Sequence, residues 1–197
     1  MEQNKQRIVV KVGTSTLTHN SGALDLWSME HLVRTLADLQ GMGHEVILVS
    51  SGAIAVGTAK LGLSERPKEL RMKQAGAAVG QCRMMHIYDK FFSEYNRSMA
   101  QILLTGDDVE DPERAEHLSN TFSALLEMGV IPVVNENDSV SSAEIETGRH
   151  KVLGDNDTLS AIVAELCRAD LLVLLSDIEG LYTADPHKDP NAVLIRE

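Results

Sequence analysis

Five short aliphatic runs, separated by longer segments with helical spacing, constrain the fold of this chain more than any other feature. The runs cover residues 8–12, 46–49, 99–104, 130–134 and 171–175. Each is nearly continuous in apolar residues, as strands buried on both faces are. Strands that alternate with helices typically form a mostly parallel sheet covered on both faces. The sequence therefore predicts an α/β sandwich.

The intervening segments place apolar residues three or four positions apart, which predicts helices. We expect helices to start at Ser28, at Pro67, after the capping residue Asp111, and at Asp157 or Thr158. Segment 139–151 is polar and serine-rich, and we expect a loop or a short hairpin there. The chain has no internal repeat and no low-complexity segment, so we treat it as one unit over residues 1–197.

The charge balance excludes several classes of partner. Lys and Arg total 18 and Asp and Glu total 29, which gives a formal net charge of −11. General binding to nucleic acid or to anionic membranes needs a basic face, so we expect neither partner. Any phosphate must be held by a few placed cations, by backbone amides or by a metal ion. The longest purely aliphatic run, 171–175, is too short to span a bilayer.

Cysteine and histidine usage indicates neither a disulfide framework nor a metal site. The two cysteines, Cys82 and Cys167, lie far apart and match no metal-binding spacing. The seven histidines form no pair at metal-ligand spacing, so no metal-binding residue is predicted. The polar residues 1–7 do not resemble a signal peptide, and we expect a cytoplasmic protein.

Small, hydroxylated or acidic residues follow four of the five predicted strands. They are Gly-Thr-Ser-Thr at 13–16, Ser-Ser-Gly-Ala at 50–53, Asn-Glu-Asn-Asp at 135–138 and Ser-Asp at 176–177. Ligands of open α/β sheets bind outside the carboxyl ends of the strands. The sequence therefore predicts a ligand site at this edge of the sheet.

Lys11 interrupts an aliphatic strand, where a bare ammonium group is costly to bury. It either extends to solvent from an edge strand or supplies a cation beside the amides of Gly13 and Thr14. Residues 51–53 likewise form either an ordinary strand-to-helix cap or an anion site at a helix N-terminus. Walker, dinucleotide-binding and Gly-x-Ser-x-Gly motifs are all absent from the sequence.

Gly-Asp-Asn-Asp at 154–157 places two carboxylates and an amide on one turn before a helix. Helix capping would explain one acid, whereas the second could orient Lys11. Asn156 could recognise a carboxylate or an ammonium group. Asp138 could pair with a substrate cation or could be a turn residue.

In this order, and together with Ser-Asp-Ile-Glu-Gly-Leu-Tyr at 176–182, these motifs resemble the amino acid kinase superfamily. Lys-Val-Gly-Thr-Ser at 11–15, with Asn-Glu-Asn-Asp and Gly-Asp-Asn-Asp, resembles the branch that phosphorylates glutamate in the first step of proline biosynthesis. The resemblance implies a three-layer αβα sandwich and a phosphotransferase. The γ-phosphoryl group of ATP would pass to the side-chain carboxylate of L-glutamate, giving L-glutamate 5-phosphate.

The resemblance also implies residue roles. Lys11 and Asp155 would be catalytic, Ser51, Asp138 and Asn156 would bind glutamate, and Lys11, Ser176 and Asp177 would contact the nucleotide. ATP would be the co-substrate, with Mg²⁺ held largely by phosphate oxygens. Proline as a feedback inhibitor and assembly into a homo-oligomer are further expectations from the family.

Two alternatives stay open. The chain could be another superfamily member, acting on acetylglutamate, aspartate, carbamate or uridylate, or it could be a non-catalytic glutamate-binding module. Family members continue beyond the position of Glu197 with a glycine-rich nucleotide segment, and many add a small PUA domain. We therefore expect a kinase domain that is incomplete at its C-terminus and has little or no activity alone.

Overall fold

The computed structural model describes residues 5–140, 156–176, 178–184, 186 and 188–196. Within them, five strands form one sheet in the order β3-β4-β2-β1-β5, and every neighbouring pair is parallel. The strands are β1 (Arg7–Val12), β2 (Glu45–Ser50), β3 (Met99–Leu104), β4 (Ile131–Glu136) and β5 (Leu171–Leu175). The predicted α/β class is confirmed, and the sheet is wholly parallel in this part of the chain.

Helices cover both faces of the sheet. They are α1 (Thr14–Leu17), α2 (Leu26–Gly41), α3 (Ala53–Lys60), α4 (Leu70–Glu94), α5 (Gly106–Glu110), α6 (Pro112–Glu127) and α7 (Asn156–Leu166). Helices α2, α3 and α4 pack on one hydrophobic core, and α6 and α7 pack on the other. No helix in the described ranges combines the length and the apolar character needed to cross a membrane.

The sheet order follows from the connections. From β1 through β2 to β3 the chain moves toward one edge of the sheet, and the connecting helices cover one face. From β3 through β4 to β5 it returns to the opposite edge, and the connecting helices cover the other face. A single crossover handedness in parallel sheets requires this change of face. Strand β1 is therefore an interior strand, with β2 on one side and the edge strand β5 on the other.

Three predicted helix starts are displaced from the observed ones. Asp25, not Ser28, caps α2, because its carboxylate accepts hydrogen bonds from the backbone N–H groups of Trp27 and Ser28, each at 3.1 Å. These bonds, led by that from Ser28, hold the pKa of Asp25 below its usual value. Helix α4 starts at Leu70 rather than at Pro67, and α7 starts at Asn156.

The predicted cap of α6 is confirmed. The Asp111 carboxylate accepts from the backbone N–H groups of Glu113 and Arg114 at 3.0 Å, and Pro112 occupies the first turn. The bounds of β3 and β5 also agree with those predicted. Most of the predicted loop 139–151 lies outside the described residues.

Helices α3 and α4 touch at the level of their backbones. A Cβ atom on Gly57 would lie 1.7 Å from the carbonyl oxygen of Gly76, and one on Gly80 would lie 1.8 Å from that of Ala53. Real Cβ atoms do not approach so closely, so both positions require glycine. Because Ala53 is the first residue of α3, this contact also fixes the exit of the chain from β2.

We predict that Gly57→Ala and Gly80→Ala each lower the free energy of unfolding by about 2 kcal/mol or more, because the added methyl group must force the two helices apart. Gly76→Ala is the matched control, since its Cβ would meet no atom closer than 3.7 Å. Alanine is favoured over glycine in helices by roughly 1 kcal/mol, so this variant should be as stable as wild type or more so. Urea unfolding measures all three, and equal midpoints would contradict the backbone contact.

Candidate active site

Lys11 lies one residue before the end of β1, on the face of the sheet that α7 covers. Its side chain is 13% exposed, and its Nζ lies 2.6 Å from Oδ1 of Asp157 in the first turn of α7. Because β1 pairs with a strand on each side, the interpretation of Lys11 as an edge-strand lysine is wrong. A Cβ on Gly13 would lie 3.7 Å from the Lys11 ammonium, so this cation sits directly beside the turn that follows β1.

Asn156 connects the carboxyl ends of β2 and β4. Its Nδ2 donates to the Ser51 hydroxyl oxygen and to Oδ1 of Asn135, the latter at 3.2 Å. Asn135 is 3% exposed, and its own Nδ2 donates to Oε1 of Gln81 in α4 at 3.1 Å. We call Gln81, Asn135, Asn156 and Ser51 the amide chain. It joins α4 to the first turn of α7, where Lys11 is held.

A second buried contact fixes the end of β2. The hydroxyl groups of Ser50 and Tyr88 lie 2.9 Å apart, and both residues are almost completely buried. Burial raises the pKa of Tyr88 above its usual value, and the hydrogen bond to Ser50 opposes that shift only in part. Tyr88 therefore remains neutral and serves as a hydrogen-bonding strut between α4 and β2.

Gly52 caps α3 without a side-chain hydrogen bond. Its φ of +104° lies in the left-handed region that favours glycine. A Cβ there would come within 3.5 Å of the Thr14 methyl group, so the turns after β1 and β2 are adjacent. Ser51 does not cap the helix, because its hydroxyl faces Asn156 instead. The first amides of α3 thus lie on the same edge as Lys11, where an anion would be stabilised.

A cavity of about 360 Å³ opens between α4 and the carboxyl ends of β3 and β4. Its polar lining includes Gln81, Gln101, Glu136, Asn137, Asp138 and Ser139. Small side chains from α3 and α4 leave room in the rest of the wall: Ala53, Ala77 and Ala78. Gln81 belongs both to this cavity and to the amide chain, and Ala53 follows the turn that contains Ser51, so the cavity adjoins the region around Lys11.

The predicted site residues divide into three groups. Lys11, Ser51 and Asn156 come together at one edge of the sheet, and Asp138 lines the adjoining cavity. Ser176 directly follows β5 and is exposed. Asp155 and Asp177 lie outside the described residues.

The sequence did not single out three residues of this arrangement. Asp157 is the carboxylate against Lys11, and the Gly-Asp-Asn-Asp motif contained it without showing which acid would make the contact. Asn135 opens the Asn-Glu-Asn-Asp motif, but its link to α4 is a tertiary contact. Gln81 lies inside a long helix with no motif around it, so no local signal identified it.

The profile of the Amino acid kinase family matches residues 6–197, and the chain belongs to this family. Glutamate 5-kinase of Clostridium acetobutylicum is 55% identical over 192 residues, which cover 98% of this chain and 70% of that protein. Glutamate 5-kinase of Carboxydothermus hydrogenoformans is 57% identical over 196 residues, or 99% of this chain and 51% of that protein.

Solved structures show the same fold at low sequence identity. UMP kinase from Ureaplasma parvum aligns with a TM-score of 0.60 and 15% identity, over 98% of this chain and 75% of that one. A substrate complex of isopentenyl phosphate kinase aligns with a TM-score of 0.61 and 17% identity, over 96% and 78%. These similarities support the three-layer αβα sandwich.

We predict that one of the two cysteines is readily alkylated. Cys82 is exposed, whereas burial raises the pKa of Cys167 to about 12. Iodoacetamide at about pH 8 should therefore modify Cys82 and leave Cys167 as the unreactive thiol, and Cys82→Ser should take up almost no label. Mass spectrometry of the alkylated protein gives the result, and equal labelling of both cysteines would contradict it.

The same pKa shift has a consequence for stability. A thiol in the unfolded chain has a pKa of about 8.5, well below the pKa of Cys167 in the folded protein. The stabilisation from keeping Cys167 neutral is therefore complete below about pH 8.5 and is lost progressively as the pH rises toward the folded pKa of about 12.

Proposed function

We propose that this protein catalyses ATP-dependent phosphorylation of the side-chain carboxylate of L-glutamate to L-glutamate 5-phosphate, the first step of proline biosynthesis. Sequence identity of 55% to a glutamate 5-kinase over nearly the whole chain supports the proposal. The structural observation behind it is the Lys11–Asp157 pair at the carboxyl edge of a parallel sheet, next to the first turn of α3. That edge is where ligands of such sheets bind.

The reaction makes modest chemical demands on the protein. A glutamate side chain is already ionised at neutral pH, so its attack on phosphorus needs no general base. Catalysis then consists of holding the two reactants in line and neutralising charge on the transferred group. Lys11 would contact that phosphoryl group, assisted by the amides that follow β1 and β2. A carboxylate 2.6 Å from Nζ already holds the lysine in place, and Asp155 would add to that orientation.

The remaining predicted roles also have a physical basis. Ser51 and Asn156 are hydrogen-bonded to each other at the edge where the reacting carboxylate would lie. Asp138, in the adjoining cavity, would pair with the α-ammonium group of glutamate. Ser176 and Asp177 follow β5 in sequence and would contact the nucleotide.

The donor set near Lys11 suits a metal ion that arrives with the nucleotide. Among the described residues, no group of three or more His, Cys, Asp or Glu side chains could hold an ion by itself. Mg²⁺ typically takes one or two carboxylates and completes its shell with phosphate oxygens and water. Asp157, 55% exposed, could supply one such carboxylate, and the bound ion would neutralise phosphate charge. Proline inhibition and homo-oligomerisation stay predictions.

A substrate panel tests the reaction class. Because the chain spans 70% and 51% of two relatives, the assay uses the protein at the length its gene encodes. With Mg²⁺ and ATP, we expect ADP release with L-glutamate but not with N-acetylglutamate, aspartate, carbamate or UMP. Hydroxylamine should trap the acyl phosphate as a hydroxamate. Turnover of another substrate would reject the proposal, and calorimetric binding of glutamate without ATP binding would favour a non-catalytic module.

We predict that Lys11→Met lowers kcat by about 10²–10³, because the lysine neutralises charge that develops in the transition state. The Kd for glutamate should change little. Lys60→Met, at the exposed end of α3, is the control for loss of one positive charge and should keep normal turnover. Near-normal kcat in the Lys11 variant would rule out its catalytic role.

Asp138→Ala should instead weaken glutamate binding by about 10- to 100-fold, the value of a charge-assisted hydrogen bond to the α-ammonium group. ATP binding should be unaffected. Asp89→Ala removes an exposed carboxylate elsewhere on α4 and should change neither constant. Calorimetry with each ligand separates these results, and a shift confined to ATP would reject the assignment of Asp138.

A further inference from the structure

Gln81 contains a buried hydrogen-bond donor without an acceptor. The residue is 7% exposed, and its Oε1 accepts from Asn135 at 3.1 Å. Its Nε2 is buried and has no hydrogen-bond partner within the described part of the chain. Such groups are uncommon in folded proteins because a buried donor loses its hydrogen bonds to water and gains no bond within the protein. An acceptor atom on a bound ligand would satisfy this donor.

Gln81 also lines the cavity of about 360 Å³ that contains Asp138. Two other buried polar atoms lack partners in the described residues, Gln40 Oε1 and Arg97 Nε, and neither residue lines that cavity. Of the three residues that carry these atoms, only Gln81 belongs to the cavity lining. A ligand in this space would need to present an acceptor to Gln81.

We propose that Gln81 donates a hydrogen bond from Nε2 to the α-carboxylate of the amino-acid substrate and is thereby a specificity-determining residue. This inference rests on the proposed function. The side-chain carboxylate of glutamate must reach Lys11, while Asp138 receives the α-ammonium group in the cavity. The α-carboxylate is bonded to the same carbon as that ammonium, so it must lie in the same cavity, where Gln81 supplies a donor.

The charges around the cavity make such a donor necessary. Glu136 and Asp138 both line the wall, and their carboxylates would repel the carboxylate of the ligand. A neutral amide donor offsets that repulsion without pairing permanently with either acid. Sites that contain a buried polar group discriminate strongly against ligands that leave it unpaired. Amino acids without an α-carboxylate should therefore be rejected here.

The test compares L-glutamate with 4-aminobutyrate, which is glutamate without its α-carboxylate. Gln81→Met removes the donor at nearly constant volume, and Gln81→Glu keeps an oxygen for Asn135 while replacing the donor. Asn120→Asp is the charge control, because it adds one negative charge at an exposed position of α6 that does not line the cavity. Calorimetry measures glutamate binding, and ligand-observed NMR measures the weaker ligand.

We expect Gln81→Met to weaken glutamate binding by about 10- to 100-fold and to leave 4-aminobutyrate binding unchanged. Gln81→Glu, measured at about pH 8 where the added carboxyl can ionise, should weaken glutamate binding at least as much. Asn120→Asp should change it less than about threefold, since an exposed charge outside the cavity interacts weakly with the ligand.

Three results would overturn the assignment. Unchanged glutamate binding in both Gln81 variants would show that no bond forms. An equal loss for both ligands would show that Gln81 acts only by positioning Asn135. An effect of Asn120→Asp as large as that of Gln81→Glu would show that added negative charge alone explains the loss of binding. If the wild-type protein binds no glutamate, the proposed function itself is rejected, which none of the other results would imply.

Discussion

The backbone contact between α3 and α4 determines where the functional groups of this protein lie. Gly57 and Gly80 allow the two helices to approach until their carbonyl oxygens occupy the space of a side chain. The same approach places Ala53, and with it the end of β2, against α4. One helix contact thus positions Ser51 at the edge of the sheet and forms a wall of the adjoining cavity. Displacement of these helices would disturb both regions together.

Local physics explains which elements the sequence could predict. The bounds of β3 and β5, and the Asp111 cap of α6, depend on neighbouring residues, and these predictions are confirmed. The predicted starts of α2 and α4 were wrong because other residues also satisfy the helix-start pattern. Asp25, three positions before Ser28, made the better cap.

The candidate site required tertiary information of two kinds. Motifs after the strands identified Lys11, Ser51 and Asn156, because the carboxyl ends of parallel strands converge at one edge. They could not reveal that Asp157 contacts Lys11, nor that β1 is an interior strand, since both depend on tertiary structure. No sequence pattern pointed to Gln81, because the feature that distinguishes it is a buried donor without a partner in the described structure.

The amide chain has a direction. Asn156 donates to Asn135 and Asn135 donates to Gln81, so the middle amide accepts through its oxygen and donates through its nitrogen. Rotating one amide would set two donors or two acceptors against each other, so the chain can reverse only as a unit. Its orientation is fixed where Asn156 Nδ2 also donates to the backbone carbonyl oxygen of Ser50 at 3.4 Å, because a carbonyl oxygen can only accept, and that polarity presents nitrogen rather than oxygen at the Gln81 end. If the ligand at Gln81 were an amine instead of an acid, every hydrogen bond of the amide chain would have to reverse its direction.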